Sequence, residues 1–323
     1  MMVIDGHNDL VLHRWRGEPS PHMDLHAAVG AGFAGGFFAL YVPSPHVMEP
    51  PSPPYDQPYA AQVPFEEAAR VADELYETLC SLPIRRATSV GDFRPGEVTA
   101  IVHLEGAEAI APDLSNLDEW HARGLRSLGP VWSRPNDFAQ GVPFRFPASP
   151  DTGPGLTDAG RALVRACNEL GILVDLSHLN ERGFWDVAAI TTRPLVATHS
   201  NAHALCASTR NLTDEQLDAV RDSGGVVGVN FGVAFLRADG DRRADETGVE
   251  EIVRHVHYLC DRMGVDHVAF GSDFDGALLP TALGGVAGLP KLVDALRADG
   301  FDDAAVAKIT HENWLRVLDA TWT

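Results

Sequence analysis

The sequence is poor in cysteine and in basic residues. Four of its 323 residues are cysteines, and none forms a C-x-x-C pair. This predicts structural thiols rather than a disulfide framework or a cysteine metal site. Only 25 Lys and Arg stand against 45 Asp and Glu, giving a net charge of −20. That charge argues against nucleic acid as a partner, because phosphate backbones are bound by clustered cations.

Membrane and export signals are also missing from the sequence. No uninterrupted apolar run approaches the ~20 residues that a membrane helix needs. The opening segment, MMVID at 1–5, has neither the basic region nor the apolar stretch of a signal peptide. We therefore expect a cytoplasmic protein that makes no membrane contact and acts on a small molecule.

The sequence does contain a regular alternation of short apolar runs with longer amphipathic stretches. Hydrophobic residues make up 45% of the chain, enough to bury a large core. Parallel strands buried on both faces are nearly continuous in apolar residues. Runs of that kind lie at 2–5, 36–42, 98–105, 125–131, 172–177, 195–199, 226–231 and 267–273. Eight such units predict an α/β fold, a (β/α)8 TIM barrel forming one domain over residues 1–323, with two smaller domains as the alternative.

Local patterns predict a helix, a helix start and two long loops. Apolar residues recur with a 3.6-residue period over 65–79, as in a packed surface helix. Thr213 as N-cap and Gln216 three residues later make a capping box. Segments 43–58, with seven prolines, and 134–155, rich in Pro, Gly and Asp, each follow a predicted strand. In a barrel such loops lie over the C-terminal face, so we expect them to wall a substrate site.

Side chains of metal-binding type stand at the ends of the predicted strands. They are His7, Asp9, Glu105, His178, His199 and Asp273. His7 and Asp9 are two residues apart, so in a strand they share one face. An H-x-D triplet alone is weak evidence for a metal. All strands of a parallel barrel end at one rim, however, and convergence there predicts a metal centre at the C-terminal face.

The number of these residues favours two ions over one. Three imidazoles, an aspartate and a glutamate exceed the four-coordinate norm of a single zinc. Two ions ~3.5–4 Å apart, bridged by one carboxylate, suit the set better, and Glu105 is the natural bridge. We predict two divalent ions, with Zn²⁺ preferred, although His, Asp and Glu also accept Mn²⁺, Co²⁺ or Fe²⁺.

Short motifs spread over nearly the whole chain then give a specific resemblance. They are DGHNDL at 5–10, EG at 105–106, GLT at 155–157, GILVDLSH at 171–178, HSNA at 199–202, CASTRN at 206–211 and GSDFDG at 271–276. In type and order they resemble the renal or membrane dipeptidase family of zinc peptidases. The resemblance implies a dinuclear zinc site in a TIM barrel that hydrolyses dipeptides. Some members accept a D-residue at the C-terminal side or open β-lactams.

The resemblance also implies a role for each matching residue. His7 and Asp9 would bind one zinc, His178 and His199 the other, with Glu105 bridging. Arg210 would contact the substrate carboxylate, which a guanidinium can hold through two parallel N–H bonds. Asp273 would be the acid/base, taking a proton from the attacking water and giving it to the leaving amine. A hydroxide shared by two zinc ions is nucleophilic near neutral pH.

One position departs from the family pattern. The family usually has a Thr-His pair at the end of strand four, the His facing the substrate carbonyl, but Trp132 occupies that position here. An indole N–H donates one hydrogen bond and carries no positive charge. We therefore expect Trp132 and Asn136 to contact the substrate, with Arg134 or another loop residue as an alternative donor. His103 is expected to be a hydrogen-bonded core histidine, with a catalytic role as the alternative.

A metal-dependent dipeptidase is the leading interpretation. The second is another metal-dependent amide hydrolase on the same barrel, acting on an N-acyl amino acid, a lactam or a modified dipeptide. A third is a barrel that binds metals and a ligand without catalysis. Asp273 and Arg210 argue against the third, because a site without catalysis needs no acid/base beside its metals. A homodimer is compatible with the sequence.

Overall fold

The computed structural model describes residues 1–44 and 52–322. Its strands are β1 Val3–Asn8, β2 Phe33–Tyr41, β3 Tyr55–Asp56, β4 Arg85–Arg86, β5 Thr99–Glu105, β6 Leu125–Gly129, β7 Arg145–Phe146, β8 Leu173–Val174, β9 Val196–Ala197, β10 Val226–Val229 and β11 Val268–Phe270. Every predicted apolar run therefore contains a strand. The sequence missed only the two-residue strands β3, β4 and β7, which are too short to show a pattern.

The strands form two parallel sheets and one small antiparallel pair. The larger sheet has the order β1-β2-β5-β6-β8 with β4 beside β5, and the smaller has the order β11-β10-β9. Isolated parallel bridges join the two sheets at both ends, between Asn8 and Phe274 and between Asp175 and Val196. Strands β3 and β7 pair antiparallel. The fold is thus α/β with a curled arrangement of parallel strands, and the α/β class predicted from the apolar runs is confirmed.

Helices follow most of the strands. They are α1 Leu10–Arg16, α2 Leu25–Gly30, α3 Phe65–Ser81, α4 Leu117–Ala122, α5 Asp158–Leu170, α6 Glu181–Ile190, α7 Asp214–Asp222, α8 Val233–Leu236, α9 Glu250–Met263, α10 Leu289–Ala298, α11 Asp303–Ala307 and α12 Asn313–Trp322. The predicted helix over 65–79 is α3, two residues longer than expected. The predicted capping box is present, because Thr213 accepts from the Gln216 backbone and the Gln216 side chain accepts from the Thr213 backbone.

Apolar side chains from both sheets meet inside the curled arrangement. Ile4, Phe37 and Ile101 of the larger sheet pack with Val226 of the smaller one. The cluster is closed by Trp314 of α12, whose indole N–H donates to the Phe270 carbonyl over 2.9 Å. This packing joins the C-terminal helix to both sheets and leaves the opposite, C-terminal ends of the strands for polar residues.

Two further expectations concern cysteines and membrane spans. Cys80, Cys167, Cys206 and Cys260 are all free thiols, as the sequence predicts. Across residues 1–44 and 52–322, every helix is too short or too polar to span a bilayer. Of the predicted loop over 43–58, residues 45–51 lie outside the described part of the chain.

Candidate active site

The predicted metal-binding residues lie together at the C-terminal ends of the strands. His7 is the penultimate residue of β1, Glu105 ends β5, and His178 and His199 follow β8 and β9. The last ladders are shorter than predicted because the chain turns sharply there. His178 and Asp273 adopt left-handed backbone conformations, with φ of 66° and 61°. Non-glycine residues rarely adopt such angles, which concentrate at functional sites.

Glu105 stands at the centre of the group. Its Oε1 lies 3.0 Å from Nε2 of His178 and 3.6 Å from Nε2 of both His7 and His199. Asp9 adds a carboxylate oxygen 3.3 Å from His7 Nε2. All these side chains are buried. The ligand atoms form two groups that share Glu105, one with His7 and Asp9 and the other with His178 and His199.

The donor atoms fit divalent cations. Neither ring nitrogen of His7, though buried, has a hydrogen-bond partner within residues 1–44 and 52–322. The Nε2 atoms of His178 and His199 point at each other over 3.0 Å. Imidazole lone pairs and carboxylate oxygens arranged around common points in this way are the donor set that zinc prefers. A third group, His7 and His199 with Asp273, places that carboxylate within reach of the same cations.

The electrostatics of the cluster also favour cations. Burial strongly lowers the pKa of His178 and His199, which keeps both rings neutral and able to donate a lone pair. Burial raises the pKa of the Glu105 carboxyl. For His7, burial acts to lower the pKa, but the neighbouring Glu105 and Asp9 outweigh it and raise it. The same negative field that attracts a proton to His7 would attract a metal ion.

Hydroxyl groups contact the His178 and His199 rings at Nδ1, the nitrogen that faces away from the centre of the site. Ser133 Oγ lies 2.8 Å from Nδ1 of His178, and Thr198 Oγ1 lies 2.8 Å from Nδ1 of His199. With Nδ1 engaged, Nε2 of each ring faces the centre of the site. Neither Ser133 nor Thr198 was predicted from the sequence. The signal available for Thr198 was its place next to His199, a predicted metal-binding residue at a strand end.

Asp273 is fixed beside the predicted ligands by an amide. Its Oδ2 accepts a hydrogen bond from Nδ2 of Asn230 over 2.8 Å, and burial raises the pKa of its carboxyl. Gly276 makes room for it, since a Cβ there would lie 2.3 Å from Asp273 Oδ1 and 2.2 Å from Asp9 Oδ2. Asn230 was missed by the sequence analysis. A single polar residue within the apolar run 226–231 was the signal that could have found it.

Arg210 lies at the same cavity and is almost completely buried. One Nη2–H bond to the His199 carbonyl, 3.1 Å long, and the face of the Phe235 ring 5.6 Å away hold its guanidinium. Its Nε has no partner among the described residues. A buried guanidinium with an unused N–H is suited to an anionic group. Asp273 and Glu105 offset part of the effect of burial, which lowers the pKa of Arg210.

The predicted metal-binding side chains open onto a cavity of about 730 Å³, walled on one side by aromatic rings. Trp132 lies there against Tyr41 and Phe144, with ring centroids 5.0 and 5.8 Å apart, and 5.5 Å from the His178 ring. Phe144, from the predicted loop 134–155, lines the cavity, as do Pro43 and Ser44 at the start of the other predicted loop. These residues support the expectation that the two loops wall the site.

Two of the predicted polar contacts lie elsewhere. Asn136 does not line the cavity, because its amide donates to the Pro130 carbonyl and accepts from the backbone of Phe138 and Ala139. It shapes the loop and does not face a substrate. The alternative donor Arg134 is fully buried behind the aromatic wall.

Arg134 is the centre of a buried network. Its Nε donates to Glu108, its Nη1 to Ser44 Oγ and its Nη2 to the Val42 carbonyl, each over 2.8 Å. Its guanidinium also lies 5.4 Å from the centre of the Trp132 ring. Arg134 therefore ties together the segments that carry the aromatic wall.

His103 occupies the core as expected. Its Nδ1 lies 3.0 Å from Ser127 Oγ and its Nε2 lies 3.7 Å from an oxygen of Asp175. His203, four residues after His199, contacts the Ala148 carbonyl through Nε2 over 2.9 Å and takes no part in the predicted metal centre. Neither ring lines the cavity.

A parallel α/β fold with carboxylates, imidazoles and a buried arginine at its strand ends defines a metal-dependent hydrolase. The sequence profile of the membrane dipeptidase family, peptidase family M19, matches residues 1–323. The chain belongs to this family and is a metallo-dipeptidase.

Solved structures and a curated relative cover most or all of the chain. A metallopeptidase from Rhodobacter sphaeroides, liganded with a phosphinate mimic of the dipeptide L-Ala-D-Ala, is 48% identical with a TM-score of 0.96, covering 100% of this chain and 99% of that one. Dipeptidase AC, an M19 metallopeptidase, is 48% identical with a TM-score of 0.94 and the same coverage. An uncharacterized protein in the pqqA 5' region of Klebsiella pneumoniae is 55% identical over 237 residues, 73% of this chain and 87% of its own.

Proposed function

We propose that the protein hydrolyses dipeptides with a free C-terminal carboxylate at a centre of two divalent ions, with Zn²⁺ preferred. The observation that carries the proposal is the pair of ligand groups sharing Glu105, in one cavity with Asp273 and Arg210. One group is His7 with Asp9, and the other is His178 with His199. Ions bound there would act as Lewis acids and lower the pKa of a bound water.

The architecture we propose for the site is a single closed (β/α)8 barrel made by the whole chain. The parallel order of both sheets supports it, as do the bridges Asn8–Phe274 and Asp175–Val196 that join their outer strands. In such a barrel the strand C-termini form one rim, where catalytic residues of this fold occur. The position of the cavity at these strand ends is in keeping with that architecture.

The proposed role of Asp273 is proton transfer. Asn230 holds one of its oxygens, and burial raises the pKa of the carboxyl, a shift toward the range where a carboxyl exchanges protons readily near neutral pH. Asp273 would take a proton from the attacking water and deliver it to the leaving amine. Its membership of the group with His7 and His199 makes a ligand role the alternative.

The proposed role of Arg210 is to hold the C-terminal carboxylate of the substrate. Its unused Nε, its burial and its place in the cavity support this role. The carboxylate would give the guanidinium the partner that its Nε lacks, through charge-assisted hydrogen bonds. Substrates longer than a dipeptide would place their carboxylate elsewhere, so the position of Arg210 limits substrate length.

The mimic bound in the Rhodobacter sphaeroides relative supports L,D-dipeptides as substrates. The aromatic wall of Tyr41, Trp132 and Phe144 would then contact an apolar side chain. A second function, hydrolysis of an N-acyl amino acid, a lactam or a modified dipeptide, is favoured by one observation. Trp132 lines the cavity where the resembling family has a histidine, so the group that meets the substrate carbonyl is altered.

A substrate panel tests the two functions against each other. The protein is loaded with Zn²⁺, Mn²⁺ or Co²⁺ and assayed with matched L,L-dipeptides, L,D-dipeptides, N-acetyl amino acids and a β-lactam. The proposal expects the highest kcat/KM on dipeptides, with L-Ala-D-Ala among the accepted substrates. Hydrolysis of N-acyl amino acids or the lactam in preference to every dipeptide would contradict it and establish the second function.

A further inference from the structure

The two parallel sheets meet at two seams, each formed by an isolated bridge rather than a long ladder. The first seam lies between β1 and the segment after β11, at Asn8 and Phe274. The second lies between the segment after β8 and β9, at Asp175 and Val196. A buried aspartate crosses each seam, Asp5 at the first and Asp175 at the second. Neither aspartate belongs to the groups of metal-binding side chains described above.

The two aspartates bind their neighbours in the same way. Asp5 accepts from the Ser272 backbone N–H over 2.6 Å and from the Ser272 hydroxyl over 2.7 Å. Asp175 accepts from the Thr198 backbone N–H over 2.8 Å and from the Thr198 hydroxyl over 2.6 Å. Each carboxylate thus adds side-chain hydrogen bonds to the few backbone hydrogen bonds that cross its seam. The paired geometry makes one seam a natural control for the other.

The two seams differ in the second group that the Ser272 or Thr198 hydroxyl contacts. Ser272 Oγ lies 3.1 Å from the carbonyl of His7, a group that only accepts hydrogen bonds. Thr198 Oγ1 lies 2.8 Å from Nδ1 of His199, a ring atom that can donate or accept. The second seam therefore continues into a side chain of the proposed metal centre, and the first does not.

The hydrogen of the Thr198 hydroxyl determines the state of the His199 ring. A carboxylate only accepts, so the short contact to Asp175 commits the single hydroxyl hydrogen to that carboxylate. The hydroxyl oxygen is then an acceptor toward His199, and Nδ1 must carry the ring proton. Nε2 consequently keeps its lone pair, and it faces Glu105 and His178.

We propose that Asp175 is a positioning residue that, through Thr198, fixes the tautomer of His199 needed for metal binding. The inference rests on the proposed function, because His199 is a proposed metal ligand. Side chains behind metal-binding histidines orient the ring and raise its basicity in this way. Asp5 has the same burial and the same backbone and hydroxyl partners, but it has no such route to an imidazole.

Replacing each aspartate with asparagine separates this role from a structural one. Asp175 Oδ1 accepts from two backbone N–H groups, of Ser177 and Thr198, so the amide oxygen of Asp175→Asn would keep that position. Its NH₂ would then face the Thr198 hydroxyl. The hydroxyl would then turn and donate to Nδ1 of His199, which at 2.8 Å is a much closer acceptor than Ser177 Oγ at 3.5 Å. This moves the ring proton to Nε2 and blocks the proposed metal-binding atom.

The same change at Asp5 should leave every imidazole tautomer unchanged. In Asp5→Asn the new amide would donate to Ser272 Oγ. The Ser272 hydroxyl would then donate its hydrogen to the His7 carbonyl, which already lies 3.1 Å away. Thr198→Ser should behave as wild type because it keeps the hydroxyl. Thr198→Val should weaken metal binding because it leaves Nδ1 without a partner.

The test measures divalent-ion affinities of wild type and the four variants by competition with a chromophoric chelator, using Zn²⁺. Asp175→Asn and Thr198→Val should lose about 10- to 100-fold in affinity for one of two ions, while Asp5→Asn and Thr198→Ser bind both as wild type does. Imidazole ¹⁵N–¹H spectra of the metal-free proteins should place the His199 ring proton at Nδ1 in wild type and Asp5→Asn, and at Nε2 in Asp175→Asn.

Three outcomes would overturn the inference. One is an unchanged ring proton in Asp175→Asn, and a second is wild-type binding of both ions by that variant. The third is an equal loss of Zn²⁺ affinity in Asp5→Asn, which would mean that both aspartates only stabilise the contact between the two sheets. Failure of wild type to bind any divalent ion would instead refute the proposed function, and the ring proton of His199 in the metal-free protein would still test the relay.

Discussion

Amidation of the substrate carboxylate tests the proposed role of Arg210. The guanidinium is almost fully buried, and its Nε lacks a partner among the described residues. A dipeptide amide fills the same space without a negative charge, so the guanidinium would face a neutral group in a buried site. Loss of one partner from a buried charge pair costs about 2–5 kcal/mol. At about 1.4 kcal/mol per tenfold change, kcat/KM should fall roughly 30- to 5,000-fold.

The assay compares L-Ala-D-Ala with its C-terminal amide, following release of alanine or alanine amide by chromatography. In Arg210→Met, which keeps the length of the side chain but removes its charge, the free acid should lose most of its advantage over the amide. Equal kcat/KM for acid and amide in the native enzyme would refute the carboxylate contact. It would also favour the second function in the form of a modified dipeptide whose C-terminal carboxylate is blocked.

Three other substitutions test separate parts of the account. Asp273→Asn should lower kcat by ~10²- to 10⁴-fold with metal content unchanged; loss of metal in that variant would make Asp273 a ligand. Trp132→His should raise dipeptide turnover or broaden the accepted substrates if the ring only shapes the wall, whereas a fall in kcat with unchanged KM in Trp132→Phe would assign the indole N–H to the reaction. Arg134→Met should lower the free energy of unfolding in urea by about 3–5 kcal/mol, because it leaves the buried Glu108 carboxylate without its cation. The exposed pair Arg85–Glu97 provides the control, since Arg85→Met should change it by only ~0–1 kcal/mol, and similar losses in both variants would contradict the reasoning.

Much of the fold could be predicted from local patterns alone. Buried parallel strands are continuous apolar runs, and each predicted run contains a strand. Helix α3 and the capping box at Thr213 follow from apolar spacing and side-chain chemistry within a few residues. The strands β8 and β9 are only two residues long, and just beyond them the Thr198 backbone N–H donates to the Asp175 carboxylate rather than to a neighbouring strand. Side-chain interactions of this kind are not visible in hydrophobic periodicity.

The candidate site was predictable where topology alone brings residues together. His7, Glu105 and His199 lie at or just beyond the C-terminal ends of different strands, so parallel strands place them at one edge whatever the details of the loops. Asn136 shows the limit of the method, because a polar residue in a loop after a strand can face the cavity or hold the loop. Its side chain accepts hydrogen bonds from the Phe138 and Ala139 backbone, so it stabilises the loop and does not face the cavity. Asn230 shows the opposite error, in which a strand-end polar residue was passed over.

The most direct test of the central claim is metal titration of the metal-free protein. Zn²⁺ is added stepwise while L-Ala-D-Ala hydrolysis and bound metal are measured together. The account predicts that activity rises to a plateau at about two ions per chain. In Glu105→Gln, whose side chain is shared by both ligand groups, both ions should bind more weakly at once. Full activity after exhaustive chelation, or a plateau reached with no stoichiometric metal bound, would contradict the proposed centre.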